Sequence, residues 1–558
     1  MSKMSGAQFI AETFKGYGVS HVFYMPVILR DSLAKMEKLN IRRILTHSEK
    51  AAAYMADGYA RASHRPGVCM AQSVGAANLA AGLQDAYLGL SPVIAITGVR
   101  PCLQKYRNPY QEIDHTPLFE PVCKFNAVVD TIEQLPFLLH QAFREATSGV
   151  PRPVHLDFRG IIGEVVSEAE IDREVIVEEH FTRFPAFRPE PEPQRVREAA
   201  SLLVKAKRPI IVAGGGVTAS QAQHEVVELA EMLSIPVATS LNGKGTILDD
   251  HPLAVGVVGS YSRWCANRAV SEADLVIFIG SHTGSQVTLD WRIPHIGTPI
   301  IQIDIDPSEL GRNYPVKVAL LGDVKVTVRH LIETLESVNQ QGGEWLQRVS
   351  QLVSEWRSEV APMRNSDSSP IRPERICKEL TEYLPSNSIL VSDTGHAGIW
   401  TGTMIDLKHS EQSYIRCAGS LGWGFPAALG VKCAAPDRPV ICFTGDGGFW
   451  YHIAELETAL RFGINTITVV NNNHSLNQEK RGAERVYANQ SGNSGELWKL
   501  QNIDFAKIAQ DIGCFGIRVT QPGQLKRALE NASLSGRPAV VDVVSDIEGI
   551  ALPPWCGE

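Results

Sequence analysis

Several features that mark whole classes of protein are missing from this chain of 558 residues. None of its cysteines stands in a C-x-x-C pair, which argues against a zinc site or a disulfide framework. We therefore expect the ten cysteines to be reduced, mostly buried thiols without a catalytic role. The N-terminal stretch has no long apolar core, so it resembles neither a signal peptide nor a membrane span. A cytoplasmic location with no membrane partner is the expectation.

Basic blocks and the dinucleotide fingerprint are missing as well. The formal net charge is -8, and the sequence contains no block of basic residues. Both observations argue against nucleic acid as a general partner, because binding a phosphate backbone requires clustered positive charge. No strand-like run is followed by Gly-x-Gly-x-x-Gly with an acid about 20 residues later, which disfavours an NAD-linked dehydrogenase.

What the chain does contain is an alternation of helical and strand-like runs. With 44% hydrophobic and 20% charged residues it has the composition of a globular protein, and its length predicts about two to four domains. Alternating helices and strands are typical of parallel βαβ units, so we predict an α/β protein with three domains, each a parallel sheet flanked by helices. The predicted domains cover 1–165, 191–340 and 371–558, separated by an acidic, Pro-rich linker near 166–190 and a connection near 341–370.

The most informative stretch runs from Gly445 to Asn473. An apolar strand ends at Gly445-Asp446-Gly447-Gly448, a turn in which backbone N–H groups can approach an anionic ligand closely. Apolar residues at helical spacing follow, Gly463 can end that helix, and the next apolar run begins at Ile467. This strand, helix, strand unit brings Asp446 and the Asn run 471–473 to the same edge of a parallel sheet, where their oxygens suit Mg²⁺ shared with a phosphate.

This stretch resembles the thiamin diphosphate signature, which opens with Gly-Asp-Gly and closes with Asn-Asn. The resemblance implies that Asp446, Asn473 and the backbone carbonyl near Ser475 hold Mg²⁺ on the cofactor diphosphate, with Asn472 as the alternative to Asn473. The turn glycines would contact the diphosphate: Gly445, Gly447 and Gly448.

Two other segments of the third domain are similar to relatives of acetolactate synthase and pyruvate decarboxylase. In CAGSLGWGFPAALGVK, the similarity implies that the Gly419 carbonyl accepts a hydrogen bond from the aminopyrimidine ring and that Leu421 bends the cofactor. In SDTGHAG, it implies diphosphate contacts from Gly395, His396 and Ala397.

The first domain supplies the matching half of this pattern. The string EKAAAYMADGYARAS, which begins at Glu49, resembles the acetolactate synthase group, where this Glu contacts the pyrimidine ring. Proton exchange with a ring nitrogen needs a carboxyl within hydrogen-bond reach, so Glu49 is the predicted catalytic residue. By the same resemblance Val74 and Asn78 face the pyrimidine, and Gln111 lies near the reacting centre. In this family the two halves come from different subunits, which implies at least a homodimer, often paired into a homotetramer.

The middle domain also resembles the family, through AGGGVTAS, LNGKGTILDDHPLAVG and IQIDIDPSELGR. Relatives use this domain to hold FAD, ADP or nothing. The FAD-bearing synthases carry an Arg shortly after the strand that corresponds to LVIFIG, whereas this chain continues Ser281-His282-Thr283. The resemblance therefore disfavours FAD and leaves ADP, a CoA-type nucleotide or an empty domain open.

The segments that would face substrate depart from acetolactate synthase. Where that group has Pro-Gly-Gly, this chain has Pro26 followed by the β-branched Val27 and Ile28. The Pro-Val step, with PGVCM at 66–70 and the run at 110–124, resembles oxalyl-CoA decarboxylases and 2-hydroxyacyl-CoA lyases. The loop 474–497 and the C-terminal tail are expected to shape the pocket, with Gln478, Glu479 and Trp555 as candidates. The expected substrate is a 2-keto acid or an acyl-CoA, and a non-catalytic scaffold is a third alternative.

Overall fold

Three six-stranded sheets, one in each third of the chain, organise the protein. The computed structural model describes residues 3–336, 343–555 and 557. Neighbouring strands within each of the three sheets run parallel, and helices cover the sheets. The predicted α/β class with three parallel-sheet domains is confirmed.

The first sheet has the strand order β3-β2-β4-β5-β7-β6. Its strands are β2 (His21–Tyr24), β3 (Arg42–Leu45), β4 (Gly67–Ala71), β5 (Val93–Val99), β6 (Phe125–Val129) and β7 (Val154–Arg159). Its helices are α1 (Gly6–Gly16), α2 (Arg30–Lys38), α3 (Glu49–Ser63), α4 (Ala76–Leu88), α5 (Thr116–Phe119), α6 (Leu135–Thr147) and α7 (Glu164–Ser167). Helices α1 to α4 and strands β2 to β5 match the alternation read from the sequence. A short antiparallel pair, β1 (Met4–Ser5) with β8 (Glu170–Ile171), joins the N-terminus to the linker.

The central sheet has a different order, β11-β10-β9-β12-β13-β14. Its strands are β9 (Pro209–Ala213), β10 (Val237–Thr239), β11 (Ala254–Val257), β12 (Leu275–Ile279), β13 (Ile300–Asp304) and β14 (Val318–Leu321). Its helices are α8 (Pro193–Lys205), α9 (Gly215–Ser220), α10 (Gln223–Leu233), α11 (Trp264–Glu272), α12 (Ser285–Thr288) and α13 (Val324–Leu335). This is the strand order of doubly wound nucleotide-binding sheets, in which ligands lie beyond the carboxyl ends of the strands.

The connection to the third domain contains a long helix, α14 (Glu344–Arg364). Its apolar face is buried through Trp345, Leu352 and Trp356. The Trp345 indole Nε1 donates to the carbonyl of Pro209 at the start of β9, at 2.9 Å. The segment 341–370, predicted only as a connection, therefore contains a helix that packs against the central domain.

The third sheet has the order β16-β15-β17-β18-β20-β19. Its strands are β15 (Ile389–Ser392), β16 (Ser413–Arg416), β17 (Val440–Gly445), β18 (Ile467–Asn472), β19 (Phe515–Val519) and β20 (Ala539–Val544). Its helices are α15 (Pro373–Tyr383), α16 (His396–Met404), α17 (Gly424–Ala434), α18 (Asp446–Trp450), α19 (Glu455–Phe462), α20 (Lys480–Tyr487), α21 (Phe505–Ile512) and α22 (Leu525–Leu534). As the spacing predicts, α19 ends at Gly463, whose φ of 64° is left-handed.

Helices α3 and α17 hold the first and third domains together. Glycines let the two backbones approach closely, because a Cβ on Gly58 would overlap the carbonyl of Ala427 and one on Gly430 would overlap the carbonyl of Met55. The helix that begins with Glu49 is therefore fixed directly against the third domain of the same chain.

The cysteines of the described residues are all free, and each is buried except Cys102. This confirms the expected reduced, buried thiols over that part of the chain, while Cys556 lies outside the described residues. No described helix combines the length and the apolar composition needed to cross a membrane.

Candidate active site

The carboxyl ends of β17 and β18 bring Asp446 together with the end of the Asn run. The two strands pair in parallel, with Gly445 opposite Asn471. The backbone N–H of Ser475 donates to Asp446 Oδ2 at 2.9 Å, and the Ser475 hydroxyl donates to Asn473 Oδ1 at 2.7 Å. Three of the predicted metal ligands thus form one hydrogen-bonded group at the edge of the sheet.

Asn472, the alternative ligand, points elsewhere. Its Nδ2 donates to Asp542 Oδ1 at 2.8 Å and to the carbonyl of Ile503 at 3.0 Å. Because side chains alternate along a strand, Asn472 faces the neighbouring β20 while Asn473 lies beyond the strand end. The geometry therefore groups Asn473, and not Asn472, with Asp446.

The electrostatics of this group suit a hard cation. Asp446 is only 3% exposed, and burial raises the pKa of its carboxyl to about 7, although backbone N–H groups partly offset this. No group of three or more His, Cys, Asp or Glu side chains converges among the described residues. One carboxylate with amide and carbonyl oxygens is, however, the donor set expected for Mg²⁺ that shares its shell with a phosphate.

The loop after β15 offers groups that lack partners within the chain. Gly395 has a φ of 65°, and the Nδ1 atom of His396 is buried without a hydrogen-bond partner among the described residues. Burial lowers the pKa of His396 to about 4, so its ring is neutral at physiological pH. A Cβ on Gly419 or Gly445 would meet no atom within 4 Å, so the space beside both glycines is open. An orphaned polar atom and open glycine faces fit a bound diphosphate cofactor.

Asp393, which the sequence analysis did not single out, ties the loops of the third domain to one another. Its carboxylate accepts hydrogen bonds from the backbone N–H groups of Thr394 (2.7 Å), Gly422 (3.1 Å) and Gly424 (3.1 Å), and from the Thr444 hydroxyl (3.3 Å). Burial raises its pKa to about 6 in spite of these donors. One buried side chain thereby fixes the loops that carry Gly395, Leu421 and the Gly-Asp-Gly turn.

A second carboxylate, Asp85 on α4, holds the Gly419 loop from the first domain. It accepts the backbone N–H groups of Ala418 (2.8 Å), Gly419 (3.0 Å) and Ser420 (2.9 Å). Arg61 lies 3.2 Å from Asp85 and also donates to Asp57 at 2.7 Å. The side chains of Asp57 and Asp85 are fully buried, so this ion network depends on each of its members.

Glu49 is the first residue of α3, and one of its carboxylate oxygens accepts a hydrogen bond while the other lies close to the loop before α4. The Asn78 Nδ2 atom donates to Glu49 Oε2 at 3.2 Å. A Cβ on Gly75 would lie 2.5 Å from Glu49 Oε1, so the loop before α4 needs a glycine at that point. Val74 beside it is 54% exposed. The structure thus brings the predicted pyrimidine contacts, Glu49, Val74 and Asn78, to one open edge of the first domain.

The Gln111 loop lies against the same edge. The Gln72 Nε2 atom donates to Gln111 Oε1 at 2.7 Å, and the Ser73 hydroxyl donates to the carbonyl of Gln111 at 2.9 Å. The Val27 N–H donates to Gln72 Oε1 at 3.4 Å, which places Val27 near Gln111. Ile28 is different, since its side chain is fully buried in the core of the first domain and does not reach this surface.

A network of buried polar side chains in the first domain supports the Gln111 loop through Ser73. His115 Nε2 lies 3.4 Å from the Ser73 hydroxyl, and His115 Nδ1 lies 3.0 Å from Asp157 Oδ2. Thr97 donates to the other Asp157 oxygen at 2.7 Å. This network stabilises Gln111, whose φ of 60° is uncommon for a residue with a side chain.

The third domain also positions the start of α3. Glu455 on α19 is buried and accepts the backbone N–H of His47 at 2.9 Å, while the His47 ring contacts Glu457 at 2.8 Å. The signature stretch therefore contributes to the placement of Glu49 within its own chain.

The remaining pocket candidates lie near a loop of the central domain. Gln478 donates to the Tyr261 hydroxyl at 3.1 Å, and its Oε1 atom lies close to Gly395. The carbonyl of Trp555 accepts a hydrogen bond from Asn267 at 3.0 Å, so the tail docks on the same domain. Glu479 is exposed, and its side chain has no partner among the described residues. Tyr261 was not identified from the sequence, because no motif marks it.

A cavity of about 370 Å³ opens at the carboxyl ends of the central strands and reaches the other two domains. Its floor is formed by the loops after β9, β12 and β13: Gly214–Gly216, Gly280–Gly284 and Asp304–Ile305. Gly280 has a φ of 59°, and a Cβ there would lie 2.6 Å from the Cα of Gly216. Ser281, His282 and Thr283, where the FAD-bearing synthases have an Arg, line this cavity.

These features define a three-domain α/β protein whose predicted site residues gather at the carboxyl edges of its first and third sheets. Matching families cover each domain: "Thiamine pyrophosphate enzyme, N-terminal TPP binding domain" over residues 4–118, the central domain over 196–331, and the C-terminal TPP binding domain over 393–543. The chain is 36% identical to a probable acetolactate synthase large subunit of Methanocaldococcus jannaschii, over 97% of this chain and 92% of that one.

Other relatives agree with this assignment. An acetolactate synthase of Arthrospira platensis is 31% identical over 97% of this chain and 94% of its own length. A putative thiamine pyrophosphate-containing protein of Bacillus subtilis is 30% identical over 100% of this chain and 94% of its own. The chain therefore belongs to the thiamine pyrophosphate enzyme family, within its acetolactate synthase-like group.

Proposed function

We propose that this protein uses thiamin diphosphate and Mg²⁺ to decarboxylate a 2-keto acid and to join the remaining acyl unit to a second carbonyl compound. The observation that carries the proposal is the pair of clusters, Glu49 with Asn78 and Asp446 with Asn473 and Ser475, in a chain related to acetolactate synthases along nearly its whole length. The assay is incubation with pyruvate, the simplest 2-keto acid, while CO₂ and the condensation product are quantified.

The residues present fit the cofactor at both of its ends. Asp446, Asn473 and the Ser475 carbonyl would hold Mg²⁺, with Asn472 as the less suitable alternative because it is engaged by Asp542. The diphosphate contacts would come from two loops: Gly395, His396 and Ala397, and Gly445, Gly447 and Gly448. Gly419 and Leu421 in the third domain, with Val74 and Asn78 in the first, would hold the pyrimidine.

Glu49 would move the proton that activates the cofactor. When bound, thiamin diphosphate supplies a nucleophilic carbon that attacks the substrate carbonyl and accepts the electron pair of the broken C–C bond. Asn78 orients the Glu49 carboxyl through its Oε2 atom, which leaves Oε1 to exchange a proton with a ring nitrogen. Gln111 and Val27, on the same edge, would face the substrate.

Acyl-CoA chemistry is the second candidate, because Val27 follows Pro26 as in the acyl-CoA-acting enzymes. A parallel assay with 2-hydroxyacyl-CoA and oxalyl-CoA separates the two. Condensation of pyruvate without turnover of either thioester supports the 2-keto acid, and the reverse result supports the lyase. If neither substrate class reacts when the cofactor is bound, the proposed reaction is wrong.

We infer that two copies of the chain share each active site, since both halves are open in one chain. The first-domain half exposes Val74, and the third-domain half leaves open space beside Gly419 and Gly445. Mixing inactive Glu49→Gln and Asp446→Ala chains should restore activity, because one site of each mixed dimer would contain both intact halves. Glu49→Gln mixed with Asn78→Ala should not recover. A homotetramer would form by pairing of such dimers, which sedimentation would reveal.

We also infer that the central cavity binds the adenine nucleotide part of a ligand, ADP or CoA, in preference to FAD. The close approach of Gly216 and Gly280 lets the loops after β9 and β12 meet at the carboxyl ends of a doubly wound sheet, where nucleotides bind, and no Arg stands at 281–283. Denaturing the purified protein and identifying released nucleotides tests this. Stoichiometric flavin in that extract would contradict the preference.

A further inference from the structure

A second cavity, none of whose lining residues belongs to the predicted site, is lined by basic side chains. It has a volume of about 190 Å³ and lies between α14, α15 and the segment that follows α16. Its charged lining residues are Arg357, Arg364, Lys378 and Lys408, with Glu382 as the acid among them. Four cations around one carboxylate form an unusual concentration of positive charge in a chain of formal net charge -8.

The two guanidinium groups are held in place by fixed acceptors. Arg364 Nη1 donates to the carbonyl of Met404 at 2.7 Å, and Arg357 Nη2 donates to the carbonyl of Asp249 at 2.7 Å. Both groups also approach the buried carboxylate of Asp406, at 3.4 Å from Arg357 and 3.5 Å from Arg364. A guanidinium has five N–H donors, so each Arg retains donors that can face the cavity.

Asp406 cannot neutralise both of them, because a third arginine makes its shortest contact. Arg263, which is buried, lies 2.7 Å from Asp406 Oδ1 and 3.0 Å from Asp249 Oδ1. Burial alone would raise the pKa of Asp406, but Arg263, Arg357 and Arg364 hold it below its ordinary value. Asp249 is further engaged by the buried Lys244 at 3.0 Å. The carboxylates beneath the cavity are thus already shared among more cations than they can balance.

The two lysines add more positive charge than Glu382, the acid among the lining residues, can balance. Lys378 contacts the Asn365 side chain at 2.9 Å and lies 3.7 Å from Glu382, which is itself half-exposed. The Lys408 ammonium has no hydrogen-bond or ion-pair partner among residues 3–336, 343–555 and 557. Fixed guanidinium donors beside two ammonium groups form a donor set suited to phosphate.

We propose that this cavity binds a small dianion of the phosphate class, either inorganic phosphate or a phosphate monoester. A cavity of about 190 Å³ is smaller than the sites that hold drug-sized ligands, so an intact dinucleotide would not fit. The dianion would accept hydrogen bonds from Arg357 and Arg364 and neutralise Lys378 and Lys408. It would thereby brace α14, which connects the central and third domains.

Calorimetric titration of the full-length protein tests the site. The protein is first saturated with thiamin diphosphate and Mg²⁺, so that its diphosphate loops are occupied, and is then titrated with potassium phosphate at constant ionic strength. We expect one phosphate per chain, and binding weakened roughly tenfold or more in Lys408→Gln and in Arg364→Gln, since each removes a charge-assisted hydrogen bond. If Arg364→Gln does not fold, Lys378→Gln replaces it, because Lys378 has no buried partner.

Matched variants on α22 control for general charge. Lys526 and Arg527 are exposed, and Lys526→Gln or Arg527→Gln should leave phosphate binding unchanged. A parallel titration with glycerol phosphate distinguishes the two sources of the dianion, since tighter binding of the ester indicates an organic ligand. Absence of phosphate binding, or equal affinity in the wild type and the cavity variants, would overturn the proposal.

Discussion

The first and third domains share one sheet topology but carry different side chains at the same edge of the sheet. Numbered within its own domain, each sheet has the strand order 2-1-3-4-6-5. In both domains predicted site residues follow each of the first four strands. After the second, third and fourth strands they include Glu49, Val74 and Gln111 in the first domain, and Gly419, Asp446 and Asn473 in the third. The same edge of the same sheet therefore presents two different sets of side chains.

The difference between the two edges indicates what each contributes. The third-domain edge has glycines, an acid and amides, which suit a metal ion and a diphosphate. The first-domain edge has a half-buried acid held by an amide beside an exposed apolar side chain, which suits proton transfer to a flat ring. The central sheet, with strand order 3-2-1-4-5-6 in the same numbering, belongs to neither half.

Replacing Glu49 by Gln gives the sharpest separation of the two halves. The amide keeps the shape of the side chain but cannot exchange the proton, so we expect turnover to fall roughly 10²- to 10⁴-fold. Cofactor affinity, measured by calorimetry, should change little because the proposed diphosphate contacts lie in the third domain. Steady-state kinetics with a 2-keto acid gives the turnover.

An exposed glutamate in the linker provides the control for that substitution. Glu168→Gln should leave both turnover and cofactor affinity unchanged. Full activity in Glu49→Gln would show that the first-domain edge does not carry the proton transfer.

Replacing Asp446 by Asn should have the opposite signature. Without the carboxylate the metal site loses its charge, so we expect Mg²⁺ and thiamin diphosphate together to raise the melting temperature of the wild type but not of the variant. Chelation of Mg²⁺ with EDTA should reduce the wild type to the same state. Unaltered stabilisation of Asp446→Asn by the cofactor would remove Asp446 from the metal site.

The metal-free protein should also show a pH dependence that Asp446→Asn abolishes. Burial raises the pKa of Asp446 from 3.8 in the unfolded chain to about 7 in the folded one. The folded state therefore binds the proton more tightly. This contribution to the free energy of unfolding is complete below a pH of 3.8, falls as the pH rises above that value, and is fully lost once the pH has risen through about 7. Denaturant titrations of the wild type and of Asp446→Asn between pH 5 and pH 8 measure this loss of stability, because the folded-state pKa of Asp446, about 7, lies in that range.

Much of this architecture could be predicted because it depends on local pattern. In the first domain, short apolar runs predicted the strands, and apolar residues at helical spacing between them predicted the helices. In the third domain, Gly463 predicted the end of α19. The strand ends that carry Asp446 and the Asn run were also local features. Periodicity and turn residues therefore predict the helices and strands, and they predict which residues lie at the carboxyl edge of a sheet.

What could not be predicted depends on contacts between distant segments. Asp393 and Asp85 are single carboxylates that belong to no motif. Their importance comes from hydrogen bonds that backbone N–H groups of distant loops donate to them in the folded chain. Ile28 follows a strand near the predicted pocket, but it points into the core. The choice between Asn472 and Asn473 required knowledge of the neighbouring β20.

Replacing Asp85 by Asn tests the contact that links the two halves within one chain. An uncharged side chain would leave Arg61 partly uncompensated in a buried network and weaken the hold on the Gly419 loop. We expect the free energy of unfolding to fall by about 3 kcal/mol. Thiamin diphosphate affinity should fall with it, whereas the exposed Asp511→Asn on α21 should change neither. Unchanged cofactor affinity would show that the loop holds its shape without Asp85.

The smallest effect is expected at His115, which reaches the site only through other residues. His115→Gln would weaken the support of Ser73 and hence of the Gln111 backbone, so we expect kcat to fall roughly two- to tenfold. The KM for thiamin diphosphate should stay constant, because Glu49 and Asn78 are not in this network. A merely structural role would instead lower stability and leave kcat per folded molecule unchanged. His140→Gln on α6, away from the network, serves as the control, and an equal loss of kcat in both variants would argue against a specific role for His115 in supporting Gln111.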